Sequence, residues 1–325
     1  MATPAPYPLL FEPVLLPKVW GGDRLAKFGK AVAPGDRIGE SWEVADLAAT
    51  SASGAGGAGV RSVIANGPLK GRTLHHAMDL WGERLLGDAK PIDGGFPLLV
   101  KLLDARENLS VQVHPSAAYA AAHAGAKLKT ECWYILEAEP GSVIYKGVKP
   151  GVTRETFAQH IADATVLNDL MSVPAVVGEC HNLPSGTVHA LGAGVVVAEV
   201  QTPSDTTFRV FDWGREGRAL HISECLECMD LGPPPPALRL SKGDVLTTEF
   251  FTVSQPEPGK TVRPRVRAAT VIMPVGGWGH MFWPGQPAIT EVDQGQTILV
   301  PADIATSFEF VPAGMGAHRV LVARL

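Results

Sequence analysis

The apolar residues of this chain fall into short runs separated by turn-forming residues rather than into long periodic stretches. Residues 96–103 (FPLLVKLL) read as one buried strand interrupted by Lys101. A lysine in such a run is rarely bare, so it either snorkels at the strand edge or faces a polar cavity. Further strands are expected at 132–136 (CWYIL), 194–201 (GVVVAEVQ) and 206–212 (TTFRVFD). In the last, Thr207, Arg209 and Phe211 share one face if the strand is regular. Helical spacing appears at 73–86, with Leu74, Ala77, Met78, Trp81 and Leu85 in register. It appears again at 153–171, where Thr153 is the N-cap and Val152 staples against Phe157. There Phe157, Ile161, Ala164, Leu167 and Met171 form the stripe to be buried. Residues 117–126 predict a small-residue helix or irregular cover, and 46–59 drift into low complexity that reads as a mobile solvent loop.

Four consecutive prolines at 233–236 cannot continue a helix or a central strand, and they act as a stiff spacer. Beyond them, β-rich runs recur at 247–253, 268–273, 297–300, 307–311 and 318–323, which predicts a second, smaller β-barrel or sandwich. The expected division is therefore 1–231, a linker at 232–236, and 237–325.

Composition fits a turn-rich β protein: 35 glycines, 27 prolines and only 19% charged residues in 325. A net charge of −5 steers the chain toward neither nucleic acid nor an anionic membrane. No apolar run is long enough to span a bilayer, and Pro4, Pro6 and Pro8 break the N-terminal apolar residues, so a cytoplasmic location is expected. Cys132, Cys180, Cys225 and Cys228 form no disulfide framework. The Cys225-x-x-Cys228 pair is expected on a helix over 223–229 with both thiols near a packed face.

The chemistry concentrates between residues 109 and 136. Gln112 and His114 are two apart and point to the same face of a strand. Glu131 opens the next apolar run, and a Pro-Ser-Gly turn at 184–186 delivers His189 to the start of another strand. Two imidazoles, one carboxylate and one amide oxygen form a mixed nitrogen and oxygen set that a borderline divalent ion such as zinc accepts.

The spacing G-x5-P-x-G-x2-H at 178–189 resembles the second signature of the cupin superfamily, and Q-x-H…E resembles a variant of the first. The stretches SVQVHP, KTECWYIL, PSGTVHAL and EVQTPSDTTFRVFDW are similar to the motifs of type I mannose-6-phosphate isomerases. Val19–Gly22, Gly39–Glu43 and Arg218–Ile222 match that family too, over about 7–231, and most closely its short bacterial members. Between Glu131 and His189 there is room for only one substantial helix. The resemblance implies a mainly β fold: a cupin (jelly-roll) barrel with helical cover, plus a second cupin-like β domain. The run 295–302 resembles a cupin strand but is not followed by a ligand histidine, so that second unit is expected to be a degenerate copy without metal.

The same resemblance implies one zinc ion per chain and an enzyme that moves a proton between C1 and C2 of mannose 6-phosphate or fructose 6-phosphate through an enediol(ate). It makes Arg209 the cation that stabilises developing charge, because a guanidinium stays protonated and cannot be the base. Lys129 is the candidate base, with Lys101, Glu43 and a metal-bound water as competitors. Lys101 and Glu43 are also candidates for substrate binding, and Arg215 and Arg218 for the phosphate. A sugar-binding cupin without strong catalysis, or an isomerase of another sugar, are the alternatives.

Overall fold

The computed structural model describes residues 3–325 apart from 52, 55, 287–288 and 315–317. Its strands build two sandwiches. In the first, a five-stranded antiparallel sheet runs in the order Leu170–Pro174, Val143–Val148, His189–Leu191, Val111–Val113, Phe208–Phe211. It faces a seven-stranded sheet whose middle strands are Glu131–Ala138, Val195–Gln201, Leu99–Ala105 and Ile38–Val44. In the second sandwich, a sheet containing Arg319–Arg324, Thr270–Gly276 and Ile298–Val300 faces the three strands Thr290–Val292, Trp278–Phe282 and Glu309–Ala313.

Strand alternation explains how the two are joined. Leu103, Ala105, Trp133, Ile135, Val195 and Val197 point into the first sandwich. Their neighbours Val100, Leu102, Cys132, Tyr134, Leu136, Val196, Ala198 and Val200 point out of it, where they pack on Val253, Val271, Met273, Leu299, Leu321 and Ala323. This apolar layer seals the two large sheets back to back.

The expected boundary at 232–236 does not separate the sheets. Leu9–Glu12 pairs with Ile298–Val300, and Val63–Ile64 pairs with Leu9–Glu12, so two N-terminal strands extend the sheet of the second sandwich. Leu238–Arg239, beyond the prolines, pairs back onto Glu179–Leu183 of the first. The carbonyl of Pro235 accepts the Lys146 ammonium at 2.6 Å, which pins the spacer to the first sandwich.

Two helices are shorter than their periodicity predicts. The one capped by Thr153, with a capping box to Thr156, runs only over Arg154–Ala162 and buries Phe157 and Ile161. Ala164 takes a positive φ of 56°, and the chain continues as a 3-10 turn at Val166–Asp169 and a strand at Leu170–Pro174. The 73–86 segment breaks at Gly82 into Leu74–Trp81 and Glu83–Leu86. Residues 247–253 form a hairpin rather than a single strand: the Thr248 hydroxyl closes the turn between Val245–Thr247 and Thr252–Ser254. The helix Ile222–Cys228 carries both thiols buried, and burial pushes Cys228 up to about 12. Among the described residues, no helix is long and apolar enough to cross a membrane.

Candidate metal centre and active site

Two rows of side chains face each other inside the first sandwich. Across the five-stranded sheet, Arg209 lies opposite Gln112, Gln112 opposite His189, and His189 opposite Lys146. Across the seven-stranded sheet, the register runs Trp42, Lys101, Glu199, Trp133, His181. Directly opposed residues share a face, so pairing carries these groups to one interior.

His114, Glu131 and His189 converge there, all buried, with one ligand atom from each lying within 4.8 Å of the others. His114 Nε2 is 3.4 Å from Glu131 Oε2, and His189 Nε2 is 3.3 Å from Oε1. The Nδ1 of His114 is 2.9 Å from the Thr206 carbonyl oxygen, and that of His189 is 2.8 Å from the Thr187 carbonyl oxygen. A carbonyl only accepts, so each Nδ1 carries the proton and each Nε2 turns its lone pair inward, that of His114 bare and that of His189 within reach of the Gln112 amide nitrogen. Burial, then the nearby Lys129 charge, lowers His114 to about 3 and keeps it neutral. Burial alone would raise Glu131, but Lys129 and His114 hold it well below the usual carboxylate range. His114 Nε2 and both Glu131 oxygens are buried without a hydrogen bond, although Lys129 Nζ makes a charge contact with Oε2 at 2.8 Å. Lone pairs aimed at one another with no proton between them are a poor arrangement unless a cation lies among them, so the donor set fits a divalent ion.

Gln112 is one contact away, its amide nitrogen 3.3 Å from His189 Nε2 and its oxygen 3.3 Å from the Ser110 hydroxyl. Gln112 and Lys129 line a pocket of about 600 Å³ together with Trp20, Lys101, Arg209 and Arg218. Lys101 sits over Trp42 at 4.9 Å from the ring centroid, 3.1 Å from Glu199 and 3.7 Å from Glu40. Burial would lower its ammonium, but Glu199 and Glu40 outweigh this and raise it above the ordinary lysine value. It therefore stays protonated beside these two carboxylates. Burial likewise opposes the charge on Glu40, yet Lys101, Lys18 and the Trp42 indole N–H hold that carboxyl down at about 2. Arg209 Nη1 donates to the Ala219 carbonyl at 2.9 Å, while its Nε is buried without a partner. Burial, then the Arg218 charge, lowers it to about 10, still a cation at neutral pH.

Four sequence expectations change. Glu43 does not line the pocket: it accepts from Lys30 at 2.8 Å and Ser41 at 2.6 Å on the opposite face of its strand. Glu40, three residues earlier, occupies the site instead, and only its pairing beside Lys101 and Leu103 could have said so. Arg215 is held outside by Asp212 at 2.7 Å and the Asn108 carbonyl at 2.8 Å, whereas Arg218, also on Asp212, does line the pocket. A bulge after Arg209 takes Phe211 out of the face it would share with Thr207 and Arg209, and its ring packs on Trp213. The 46–59 stretch is not a plain solvent loop, because Ser53 and Gly54 line the pocket.

Residues 9–143 match the type I phosphomannose isomerase catalytic domain. The chain is 38% identical over 261 residues to the mannose-6-phosphate isomerase of Streptococcus mutans, covering 76% of this chain and 77% of that protein. The chain belongs to the type I phosphomannose isomerase family. Within that family it is also 39% identical over 238 residues to mannose-6-phosphate isomerase ManA of Bacillus subtilis, covering 70% of each. The crystal structure of the mannose 6-phosphate isomerase from Bacillus subtilis superposes with a TM-score of 0.81 at 25% identity, covering 98% of this chain and 99% of that one. The apo enzyme from Salmonella typhimurium, at 16% identity, shares the fold with a TM-score of 0.71 over 99% of both chains.

Proposed function

We propose that this chain is a zinc-dependent aldose–ketose isomerase that interconverts mannose 6-phosphate and fructose 6-phosphate. The observation that carries the reading is the convergence of His114, Glu131 and His189, with His114 Nε2 and both Glu131 oxygens left without a hydrogen bond, beside a pocket walled by Lys101, Lys129 and Arg209. Family membership and the names of the relatives support the choice of sugar phosphate. His114, Glu131 and His189 would hold the ion, and Gln112, whose amide nitrogen faces His189, would complete the set with its oxygen after a turn of the amide. When bound, such an ion acts as a Lewis acid toward the oxygens on C1 and C2 of the open-chain sugar.

The chain's own groups do the remaining work. Lys129, buried beside the ligands, would take the C2 proton of the aldose as the neutral amine, its place as counter-charge to Glu131 passing to the bound ion, and return that proton to C1 of the ketose. Arg209 is a fixed cation whose attraction grows as the enediolate forms. Lys101, kept charged by Glu199 and Glu40, orients sugar hydroxyls rather than moving protons. Arg218, with Lys18, lies on the pocket wall and suits the phosphate. The test is a coupled assay with mannose 6-phosphate on purified protein, with elemental analysis before and after chelation. Activity lost with the metal and restored by zinc is expected; full activity in metal-free protein would overturn the metal-dependent reading.

A further inference from the structure

The Ser53–Gly54 turn, which belongs to the low-complexity stretch, is docked together with Ser51 on the segment that leads into the Phe208–Phe211 strand. The Ser51 amide donates to Asp205 Oδ1 at 2.7 Å, and the Thr207 amide donates to the Ser53 hydroxyl at 3.3 Å. The Ser51 and Ser53 hydroxyls are 2.7 Å apart and bond to each other. Gly54 then passes so close to Asp205 that a Cβ there would overlap both the carboxylate and the carbonyl oxygen. The absence of a side chain, not an unusual φ, is what this position requires.

Ser53 and Gly54 border two spaces at once: the inner pocket and an outer cavity of about 1040 Å³ that includes none of the metal-binding side chains. Lys18, Arg209 and Arg218 are also common to both, so these residues form the neck between them. A molecule reaching Gln112 and Lys129 from outside passes the turn.

We propose that the Ser53–Gly54 turn is a specificity element of the sugar site. Held by Asp205 and Thr207, it forms the wall against which the end of the sugar phosphate remote from the metal ligands is seated, and Gly54 is the residue that lets the wall close. This rests on the isomerase reading above and adds to it the part of the chain that fixes the substrate's outer end. The contribution is to binding in ground and transition states alike, because the turn lies away from C1 and C2.

The experiment compares Gly54→Ala with Ala58→Ser, an exposed change in the same loop, and measures kinetics, metal content and hydrogen exchange of residues 48–58. In Gly54→Ala, KM for mannose 6-phosphate should rise at least about tenfold while kcat stays within about threefold, the signature of lost uniform binding. Ala58→Ser should behave as wild type, and metal content should not change in either. Added mannose 6-phosphate should slow exchange of 48–58 in wild type and not in Gly54→Ala. An unchanged KM in Gly54→Ala, or wild-type exchange indifferent to the sugar phosphate, overturns the proposal. Failure of the isomerase reading is separable: a wild type without turnover sinks that reading, while exchange slowed by bound sugar phosphate would still support the turn as a binding wall.

Discussion

Inside the first sandwich lie Lys101, Lys129, Glu131, Glu199, His114, His189 and Arg209, all buried. Inside the second lie Ile272, Met281, Val292, Ile298, Val300, Phe308, Phe310, Val320 and Val322, and among the described residues from 240 on no charged side chain is buried. The strands are alike in length and pairing, yet one interior is a site and the other a core. Buried ion pairs such as Lys101–Glu199 at 3.1 Å roughly break even against their desolvation, so they cannot by themselves hold the first sandwich together. The apolar layer between the two large sheets supplies what that interior lacks. A plain core at its back lets the first sandwich keep a charged interior.

The comparison can be broken most severely from the apolar side. Phe310→Ala, at a fully buried ring, should cost about 3–5 kcal/mol of unfolding free energy in a denaturant titration. The protein that remains folded should keep its kcat and KM, and a change beyond about threefold in either would show that the second interior is not a passive support. From the charged side, Arg209→Met should fold, keep its metal and lose turnover by about 10²–10³, because only charge stabilisation is removed. Arg209→Lys should recover little, since a flexible point charge does not reproduce a planar fork. Steady-state kinetics with metal analysis on the same samples decides this, and turnover within about threefold of wild type would reduce Arg209 to a strand residue.

The smallest effect is a pH dependence confined to the charged interior. The folded pKa of Glu40, about 2, lies below its ordinary value of 4.5. Its contribution is therefore complete above about pH 4.5 and is lost as pH falls through about 2, at most about 3 kcal/mol in total. Chemical unfolding of metal-free protein between pH 5 and 2 should show this slope, and Glu40→Gln should flatten it. An equal slope in the variant would assign the acid sensitivity to other carboxylates.

Much of the site could be read without coordinates because its signals are local. The Q-x-H spacing puts Gln112 and His114 on one strand face, and the Pro-Ser-Gly turn leads into His189, whatever the rest of the chain does. Thr153 and Thr73 cap helices for equally short-range reasons, each accepting the backbone N–H three residues on. Helix length was not legible at 153–171, because the apolar period continues through Ala164 while the backbone there turns left-handed and the chain joins a sheet.

What only the tertiary structure decided is which distant segments meet. Glu40 rather than Glu43 reaches the pocket because Trp42 pairs with Lys101, and that register places one face of a seven-residue strand inside and the other against Lys30 and Thr297. The Leu9–Glu12 strand joins the far end of the chain, which no local pattern encodes, because Ile298–Val300 and Val63–Ile64 pair with its backbone groups. The Ser53–Gly54 turn gains its meaning the same way. Serine and glycine there specify no conformation of their own, and folding brings their partners near: the Ser51 amide donates to Asp205, and the Ser53 hydroxyl accepts from the Thr207 amide.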